Sequence, residues 1–222
     1  MNDHIVEYFI EECLNLGVLN IVDCRKEQPY LYSSKKLGPG IVNIKELVGT
    51  VWMRKASSYL GKIIYDKIVF DFIAGNATGG IVPSYVAWEY IISHKISDIL
   101  YVYIRDSKKE YGNREQVSGA KFLNKGNKGI VIDELINYGS NSLASCKLLR
   151  EMGFEVNHVA CLMQYENKIA NEKFKENGIE VISIFTLSEL LDVAERIGKF
   201  NKFLIDEYRE FLEDPEKWQT KY

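Results

Sequence analysis

The sequence predicts an α/β fold with a doubly wound, mostly parallel sheet, and three observations lead to this prediction. Four apolar, β-rich runs are present, at 66–73, 99–105, 128–133 and 155–162. Helical stretches at 80–93 and 141–152 lie between them, and strands that alternate with helices are typical of a parallel sheet. A chain of 222 residues with 46% apolar residues is also long enough to bury the core of one principal domain.

The part of the chain before the first core strand follows a different pattern. It predicts these pieces: a helix near 3–15, short extended segments near 19–23 and 29–33, a Gly-Pro-Gly turn at 38–40 and an amphipathic helix near 43–61. We therefore expect residues 1–63 to form N-terminal helices and a small segment that we call the hood. Residues 64–222 are expected to form the α/β core with a C-terminal helix, the whole being one compact domain.

Composition excludes several classes of partner. The formal net charge is −3 and charged residues of both signs are interspersed, which argues against a nucleic-acid binder that relies on a basic surface. No apolar run reaches the ~18 residues that a membrane span needs, and the acidic opening segment predicts a helix rather than a signal peptide. Four scattered cysteines, Cys13, Cys24, Cys146 and Cys161, indicate free thiols and a cytoplasmic protein.

Two adjacent acids, Asp133 and Glu134, follow the third apolar run. Neighbouring carboxylates repel each other unless a ligand or a cation offsets the repulsion. An ionised carboxylate only accepts hydrogen bonds, which suits the pair to two neighbouring sugar hydroxyls, and the polar turn that opens the next helix is suited to a phosphate. The pattern therefore fits a ribose phosphate, but a solvated strand end with Ser140 or Asn141 as a helix cap fits it equally well.

The run IVIDELINYGSNS, residues 130–142, resembles the phosphoribosyl pyrophosphate motif of type I phosphoribosyltransferases. The resemblance implies that the ribose hydroxyls are held by Asp133 and Glu134, which would orient the ribose for catalysis. It also assigns the 5′-phosphate to a loop of five residues, Asn137, Tyr138, Gly139, Ser140 and Asn141. Family members usually have Thr at the position of Asn137 and a small residue at that of Tyr138.

A long polar segment, 106–119, follows the second apolar run. Loops of this length inside compact domains are often lids, and a lid with basic residues can neutralise charge on a leaving group; a solvated charged loop is the alternative. The segment resembles the catalytic loop of orotate phosphoribosyltransferases. This implies that Lys109 is the catalytic lysine and that Arg105 and Tyr111 contact phosphoribosyl pyrophosphate, with Asp106 where a second lysine is common and Tyr111 where histidine is common.

The first core strand ends in a glycine turn, with Gly79 and Gly80 just before a helix. Glycines allow backbone amides to approach an anion closely, although a tight strand-to-helix turn is the commoner reason for such a pair. The turn resembles the pyrophosphate loop of the same family, which implies that Thr78 and Gly79 contact the substrate. Val82 is an extra residue relative to that loop.

The segment 24–32, CRKEQPYLY, resembles the one that covers orotate in the family. The resemblance implies these contacts to the base: Tyr30, Leu31, Asn137 and Tyr165. Many orotate enzymes have an arginine at the position of Tyr165 and a lysine at that of Val22. A bidentate arginine is not replaced equivalently by another residue, so an anionic base would here depend on backbone amides or a nearby lysine.

The resemblance thus implies a Mg²⁺-dependent orotate phosphoribosyltransferase. Magnesium is expected to be bound mainly through phosphoribosyl pyrophosphate, with Asp133 as a candidate direct ligand. The family also implies a homodimer, because its lid reaches into the neighbouring subunit's site. Two other functions stay open at this point: a phosphoribosyltransferase for another base such as a purine, and a sensor that binds phosphoribosyl pyrophosphate without turnover.

Overall fold

The structure is a computed structural model, and it describes residues 3–32, 36–94, 98–105 and 116–221. The predictions for Asp106, Lys109 and Tyr111 lie outside these residues. The chain divides into two compact units, one formed by Met1–Leu47 with Leu187–Tyr222 and the other by Val48–Thr186. This division leaves the expected boundary between residues 63 and 64, and a single compact domain, as predictions.

Strands and helices alternate through most of the chain. The strands in the described residues are β1 (Leu19–Ile21), β2 (Tyr30–Leu31), β3 (Leu37–Gly38), β4 (Gly40–Val42), β5 (Phe72–Asn76), β6 (Leu100–Ile104), β7 (Val117–Ser118), β8 (Lys128–Ile136), β9 (Glu155–Gln164) and β10 (Glu180–Thr186). The α-helices are α1 (Asp3–Asn15), α2 (Val51–Lys67), α3 (Ile81–His94), α4 (Ser140–Glu151), α5 (Lys168–Glu176), α6 (Leu187–Arg196), α7 (Lys202–Glu213) and α8 (Pro215–Gln219). Two short 3₁₀ turns are found at Ile44–Leu47 and Ala120–Phe122.

The unit Val48–Thr186 contains a six-stranded sheet in the order β10-β9-β8-β5-β6-β7. All its pairings are parallel except that of the edge strand β7 with β6. From β5 the chain runs first to β6 on one side and then returns to β8 on the other, so the strand order reverses between β5 and β8. The predicted doubly wound, mostly parallel sheet is confirmed, and ligands in such sheets bind at the carboxyl ends where the order reverses.

Helices cover both faces of this sheet. Helices α2 and α3 pack on each other and on one face, and they approach closely because Gly61 lies against the backbone of Ala87, where a Cβ atom would be 2.7 Å from the carbonyl oxygen. Helices α4 and α5 pack on the other face, with Val131, Cys146 and Phe174 in its apolar core. Because side chains alternate along a strand, successive residues of β8 point to different helix layers.

Several predicted boundaries were wrong. The expected helix at 43–61 is a 3₁₀ turn followed by α2, because the Thr50 side chain caps a new helix by accepting a hydrogen bond from the Met53 amide at 3.2 Å. Helix α2 continues to Lys67, so the strand expected at 66–73 begins only at Phe72. Strand β8 runs on to Ile136, which places the two acids inside the strand and not after it. Strand β10 was missed.

The unit that joins the two ends of the chain is mainly helical, with the pairs β1–β4 and β2–β3. Tyr208 of α7 anchors β4 by donating a hydrogen bond from its hydroxyl to the Gly40 carbonyl at 3.2 Å. Arg209 links α7 to α6 through ion pairs with Asp192 and Glu195, each at 2.6 Å. Hydrogen bonds from Lys202 and Arg209 lower the pKa of Glu195, so this carboxylate stays ionised to lower pH than an ordinary one.

The four cysteines are free and buried. Burial raises the pKa of the thiols of Cys13 and Cys146 to about 12, which leaves them protonated and unreactive at neutral pH. Among the described residues, no helix is both long enough and apolar enough to cross a membrane.

Candidate functional site

The reversal of strand order brings the ends of β5 and β8 together. Gly75 and Ile132 are register partners in this parallel pair, so Asn76 and Asp133 come next along the two strands. The Asn76 amide Nδ2 donates a hydrogen bond to Asp133 Oδ2 at 2.7 Å. The predicted acids therefore lie at the edge of the sheet where doubly wound proteins bind their ligands.

Asp133 is 8% exposed, and its carboxylate accepts three hydrogen bonds. Besides Asn76, the Ser142 hydroxyl donates to Oδ2 at 2.9 Å, and the Glu134 backbone N–H donates to Oδ1 at 3.0 Å. No ion pair within the described ranges involves Asp133, so these donors offset its charge. The neighbouring thiol of Cys161 adds no further negative charge. Burial first, and the charge of Asp133 next, raise its pKa well above the ordinary value, so the thiol stays protonated.

Glu134 points to the opposite side of the sheet, towards the glycine turn that precedes α3. A Cβ atom at position 79 would overlap the carboxylate atoms of Glu134. The carboxylate is thus in direct contact with the turn and occupies the space that a side chain in place of Gly79 would need. Thr78, in the same turn, is exposed. The two acids consequently reach two different walls of the crevice.

The loop between β8 and α4 leads directly into the first turn of that helix. Gly139 is the residue before the helix and has φ +68°, a conformation that favours glycine. A Cβ atom there would also lie 2.5 Å from the Phe174 ring. Asn137 and Tyr138 are partly buried, whereas Ser140 and Asn141 are exposed at the helix start, where the first amides have no partner within the helix. This arrangement is suited to an anion.

Arg105 follows β6, next to the segment 106–115. Its backbone N–H donates to the Gln116 carbonyl at 3.0 Å, and its guanidinium Nη2 donates to the Ser118 hydroxyl at 2.6 Å. The Gln116 side chain donates in turn to the Arg105 carbonyl at 3.0 Å. Arg105 therefore ties the chain before that segment to the chain after it, and its contact with phosphoribosyl pyrophosphate stays a prediction.

The residues expected to contact the base lie in both units. Tyr165 follows β9 and is 5% exposed, and its backbone N–H donates to the Ile136 carbonyl at 2.8 Å. Asn137, the next residue after Ile136, is therefore adjacent to Tyr165. Tyr30 and Leu31 form β2 in the other unit, where Leu31 is exposed. Their roles at the base stay predictions.

Three residues around Asp133 were missed from the sequence: Asn76, Ser142 and Ser145. All three are almost completely buried, and the Ser145 hydroxyl donates to Asn76 Oδ1 at 2.7 Å. Ser142 and Ser145 lie three residues apart, which places both on the same face of α4. That spacing, together with a polar residue at the end of a buried strand, was the only signal that could have found them.

The acid pair fits a magnesium ion that takes most of its ligands from a substrate. Mg²⁺ prefers oxygen ligands and is usually bound by one or two carboxylates together with substrate phosphates. Asp133 and Glu134 supply one such carboxylate on each wall of the crevice. Over residues 3–32, 36–94, 98–105 and 116–221, no group of three or more His, Cys, Asp or Glu residues could hold a metal ion by itself.

Curated bacterial orotate phosphoribosyltransferases match the chain at 27–32% identity. That of Fusobacterium nucleatum is 32% identical over 180 residues, which are 79% of this chain and 78% of the relative. No protein-family model matches the chain.

Solved structures of the same class have a similar fold. The orotate phosphoribosyltransferase of Francisella tularensis aligns with a TM-score of 0.69 and 17% identity, over 93% of this chain and 98% of that one. The enzyme of Mycobacterium tuberculosis in complex with 5-phospho-α-D-ribosyl 1-diphosphate aligns with a TM-score of 0.60 and 15% identity, over 83% of this chain and 98% of that one. At these identities the likeness shows the fold alone.

Proposed function

Because the chain belongs to the orotate phosphoribosyltransferase family, we propose that it transfers the phosphoribosyl group of phosphoribosyl pyrophosphate to orotate in the cytoplasm. The products are orotidine 5′-phosphate and pyrophosphate. The observation that carries the proposal is the position of Asp133 and Glu134 at the reversal of strand order, between the glycine turn and the start of α4. A sugar between two phosphate groups needs acceptors for its diol flanked by two anion sites.

Different residues at the carboxyl ends of the strands bind different parts of phosphoribosyl pyrophosphate. Asp133 and Glu134 accept hydrogen bonds from the ribose hydroxyls, and the amides at the start of α4 bind the 5′-phosphate. The turn at Thr78 and Gly79 binds the pyrophosphate, and Arg105, Lys109 and Tyr111 are the other residues that we assign to it. A nitrogen of the base then attacks the anomeric carbon as the bond to pyrophosphate breaks, and Lys109 stabilises the negative charge that grows on the leaving group.

Magnesium, when bound, neutralises charge on the pyrophosphate and polarises its oxygens. The half-buried carboxylate of Glu134 lies against the turn that we assign to pyrophosphate, so anionic substrate and acid would repel each other without a cation. Asp133, the ligand expected from the sequence, has one acceptor position left, on Oδ1, and we assign that position to the sugar. We expect activity to be lost on chelation and restored by Mg²⁺.

The base is the less constrained part of the substrate. Asn137 directly follows β8 and the buried Tyr165 directly follows β9, and the two residues are neighbours. Tyr30 and Leu31 of the hood are the other proposed contacts. Tyr165 carries no positive charge, so the carboxylate of orotate would be bound by backbone amides or a lysine. Specificity for orotate over neutral bases is therefore the part of the proposal that most needs measurement.

A panel of bases tests the proposal. Orotate, uracil, adenine and hypoxanthine are each supplied with phosphoribosyl pyrophosphate and Mg²⁺, and pyrophosphate release and nucleotide formation are measured. We expect orotidine 5′-phosphate from orotate and no product from the others. Product from a purine alone would replace orotate as the acceptor, and tight binding of phosphoribosyl pyrophosphate without any product would indicate a sensor.

Gly79→Ala tests the contact between the turn and Glu134. The new Cβ atom displaces the Glu134 carboxylate, because that carboxylate is the flexible partner in the contact. We expect affinity for phosphoribosyl pyrophosphate to fall about 10- to 100-fold, as for the loss of one charge-assisted hydrogen bond of about 1.5–3 kcal/mol, with little change in melting temperature. Calorimetric titration measures the first and thermal unfolding the second.

Gly49→Ala is the matched control for this variant. A Cβ atom at Gly49 meets nothing within 4 Å, and the residue belongs to the same unit. It should keep full affinity. Unchanged affinity in Gly79→Ala would show that Glu134 does not bind the substrate from its present position.

A homodimer with a shared site is also part of the proposal. If the segment with Lys109 acts in the neighbouring subunit, a mixed dimer of Lys109→Ala and Asp133→Asn chains contains one site with both intact residues. Mixing the two impaired proteins should then raise the activity above that of either protein alone. A monomer in light scattering, or no restoration after confirmed subunit exchange, contradicts the shared site.

A further inference from the structure

The Asp133 carboxylate is held by a buried network of three uncharged side chains, which we call the amide–hydroxyl network: Asn76, Ser142 and Ser145. Asp133 Oδ2 accepts hydrogen bonds from Asn76 Nδ2 at 2.7 Å and from the Ser142 hydroxyl at 2.9 Å. Asn76 Oδ1 accepts from the Ser145 hydroxyl at 2.7 Å. The three side chains are 5%, 2% and 5% exposed, so water contributes little to their positions.

The network fixes which oxygen of Asp133 is available. Each carboxylate oxygen has two lone pairs, and both positions on Oδ2 are used by Asn76 and Ser142. Oδ1 accepts only the Glu134 N–H among the described residues, at 3.0 Å, which leaves it one acceptor position. A single hydroxyl can therefore be bound, and only through Oδ1.

Asp133, which only accepts hydrogen bonds, sets the orientation of the Asn76 amide, and Ser145 holds the amide from its other end. With the Ser145 hydroxyl donating to Oδ1 of Asn76, its Nδ2 group faces Asp133. If the amide were reversed, its carbonyl oxygen would face the Asp133 carboxylate, and two acceptors would lie 2.7 Å apart. Ser145 thus acts on Asp133 through Asn76 without touching the carboxylate.

We propose that Asn76, Ser142 and Ser145 are positioning residues, which hold Asp133 so that its Oδ1 accepts one hydroxyl of the substrate's sugar while Glu134 takes the other. The proposal rests on the proposed function, since it assigns the sugar to the acid pair. The two acids would bind the diol differently. Asp133 is a fixed acceptor, whereas Glu134 lies against the glycine turn on the other wall of the crevice.

Ser145→Ala is the first test, because Ser145 touches neither Asp133 nor the expected position of the sugar. Dissociation constants are measured for two probes, ribose 5-phosphate and inorganic phosphate. We expect affinity for ribose 5-phosphate to fall about tenfold, because a displaced Asp133 weakens the hydrogen bond between the sugar and this charged carboxylate. Affinity for inorganic phosphate should not change, because the phosphate site does not involve the network. The dissociation constant for ribose 5-phosphate divided by that for inorganic phosphate should therefore rise. A merely structural role of Ser145 would not alter this ratio.

Two further substitutions complete the test. Ser142→Ala should also raise the dissociation constant for ribose 5-phosphate relative to that for inorganic phosphate, and Ser142→Thr, which keeps the hydroxyl, should restore the original value. Ser57→Ala is the matched control: Ser57 is fully buried in α2, its hydroxyl bonds to the Met53 sulfur, and its loss should leave the ratio unchanged.

The outcomes separate this inference from the proposed function. If the unaltered protein binds ribose 5-phosphate and the alanine variants bind both probes equally less well, or bind both as well as before, the positioning role is wrong and the function stands. If the unaltered protein does not bind ribose 5-phosphate, the assignment of the sugar to the acid pair is itself overturned.

Discussion

Lys109→Ala is expected to lower turnover about 10²- to 10³-fold, which is the usual effect of losing one preorganised group that stabilises charge in the transition state. In the proposed mechanism, negative charge grows on pyrophosphate as it leaves and Lys109 neutralises it. Since this interaction strengthens mainly in the transition state, kcat should fall far more than the affinity for phosphoribosyl pyrophosphate. Steady-state kinetics and a calorimetric titration measure the two effects separately.

Lys147→Ala is a suitable control for that experiment. Lys147 lies on α4, its side chain is 79% exposed, and its nearest acid is Glu151 at 3.9 Å, so its removal should leave turnover unchanged. Full turnover in Lys109→Ala would remove this lysine from the mechanism. A large loss of affinity at unchanged kcat would assign it to substrate binding instead.

Asp133→Asn should have the largest effect on substrate binding. The asparagine oxygen can still accept from Asn76 and Ser142, but its NH₂ group then faces the Glu134 N–H, which donates to Asp133 Oδ1 in the unaltered protein. Two donors face each other, and the remaining acceptor position is lost. We expect affinity for phosphoribosyl pyrophosphate to fall about 10²-fold and stability to fall by about 1–3 kcal/mol, the cost of an unsatisfied buried polar group.

Asp71→Asn provides the comparison for this change. Asp71 also accepts two hydrogen bonds, from the Lys128 backbone N–H at 2.7 Å and from Asn127 Nδ2 at 3.3 Å, but it precedes β5 at the opposite end of the sheet. Urea unfolding should show some loss of stability in both variants, and titration a loss of affinity in Asp133→Asn alone. Wild-type affinity in Asp133→Asn would mean that the sugar is bound elsewhere.

Much of the fold could be predicted because its signals are local. The apolar runs at 99–105, 128–133 and 155–162 correspond to β6, β8 and β9. The first helix was predicted at its observed bounds, Asp3–Asn15. Adjacent acids before a polar turn were an equally local signal for the candidate site.

The rest depends on contacts that are distant along the chain. Strand order is set by the pairing of β5 with β8 as well as with β6, and no local pattern encodes that choice. For the same reason Asn76 was missed, because the carboxylate that it holds lies 57 residues away along the chain. The missed strand β10 is a short apolar run whose type is decided by its neighbour β9.

The opposite directions of Asp133 and Glu134 within β8 make the order of the two acids meaningful. Position 133 has room for the shorter side chain only, since Asn76 and Ser142 are already within 3 Å of the Asp133 carboxylate. Position 134 needs the longer side chain, because the Glu134 carboxylate lies against Gly79. Exchanging Asp133 and Glu134 would preserve charge and composition but misplace both carboxylates by about one methylene. A search for related sites should therefore treat Asp-Glu and Glu-Asp as two different motifs.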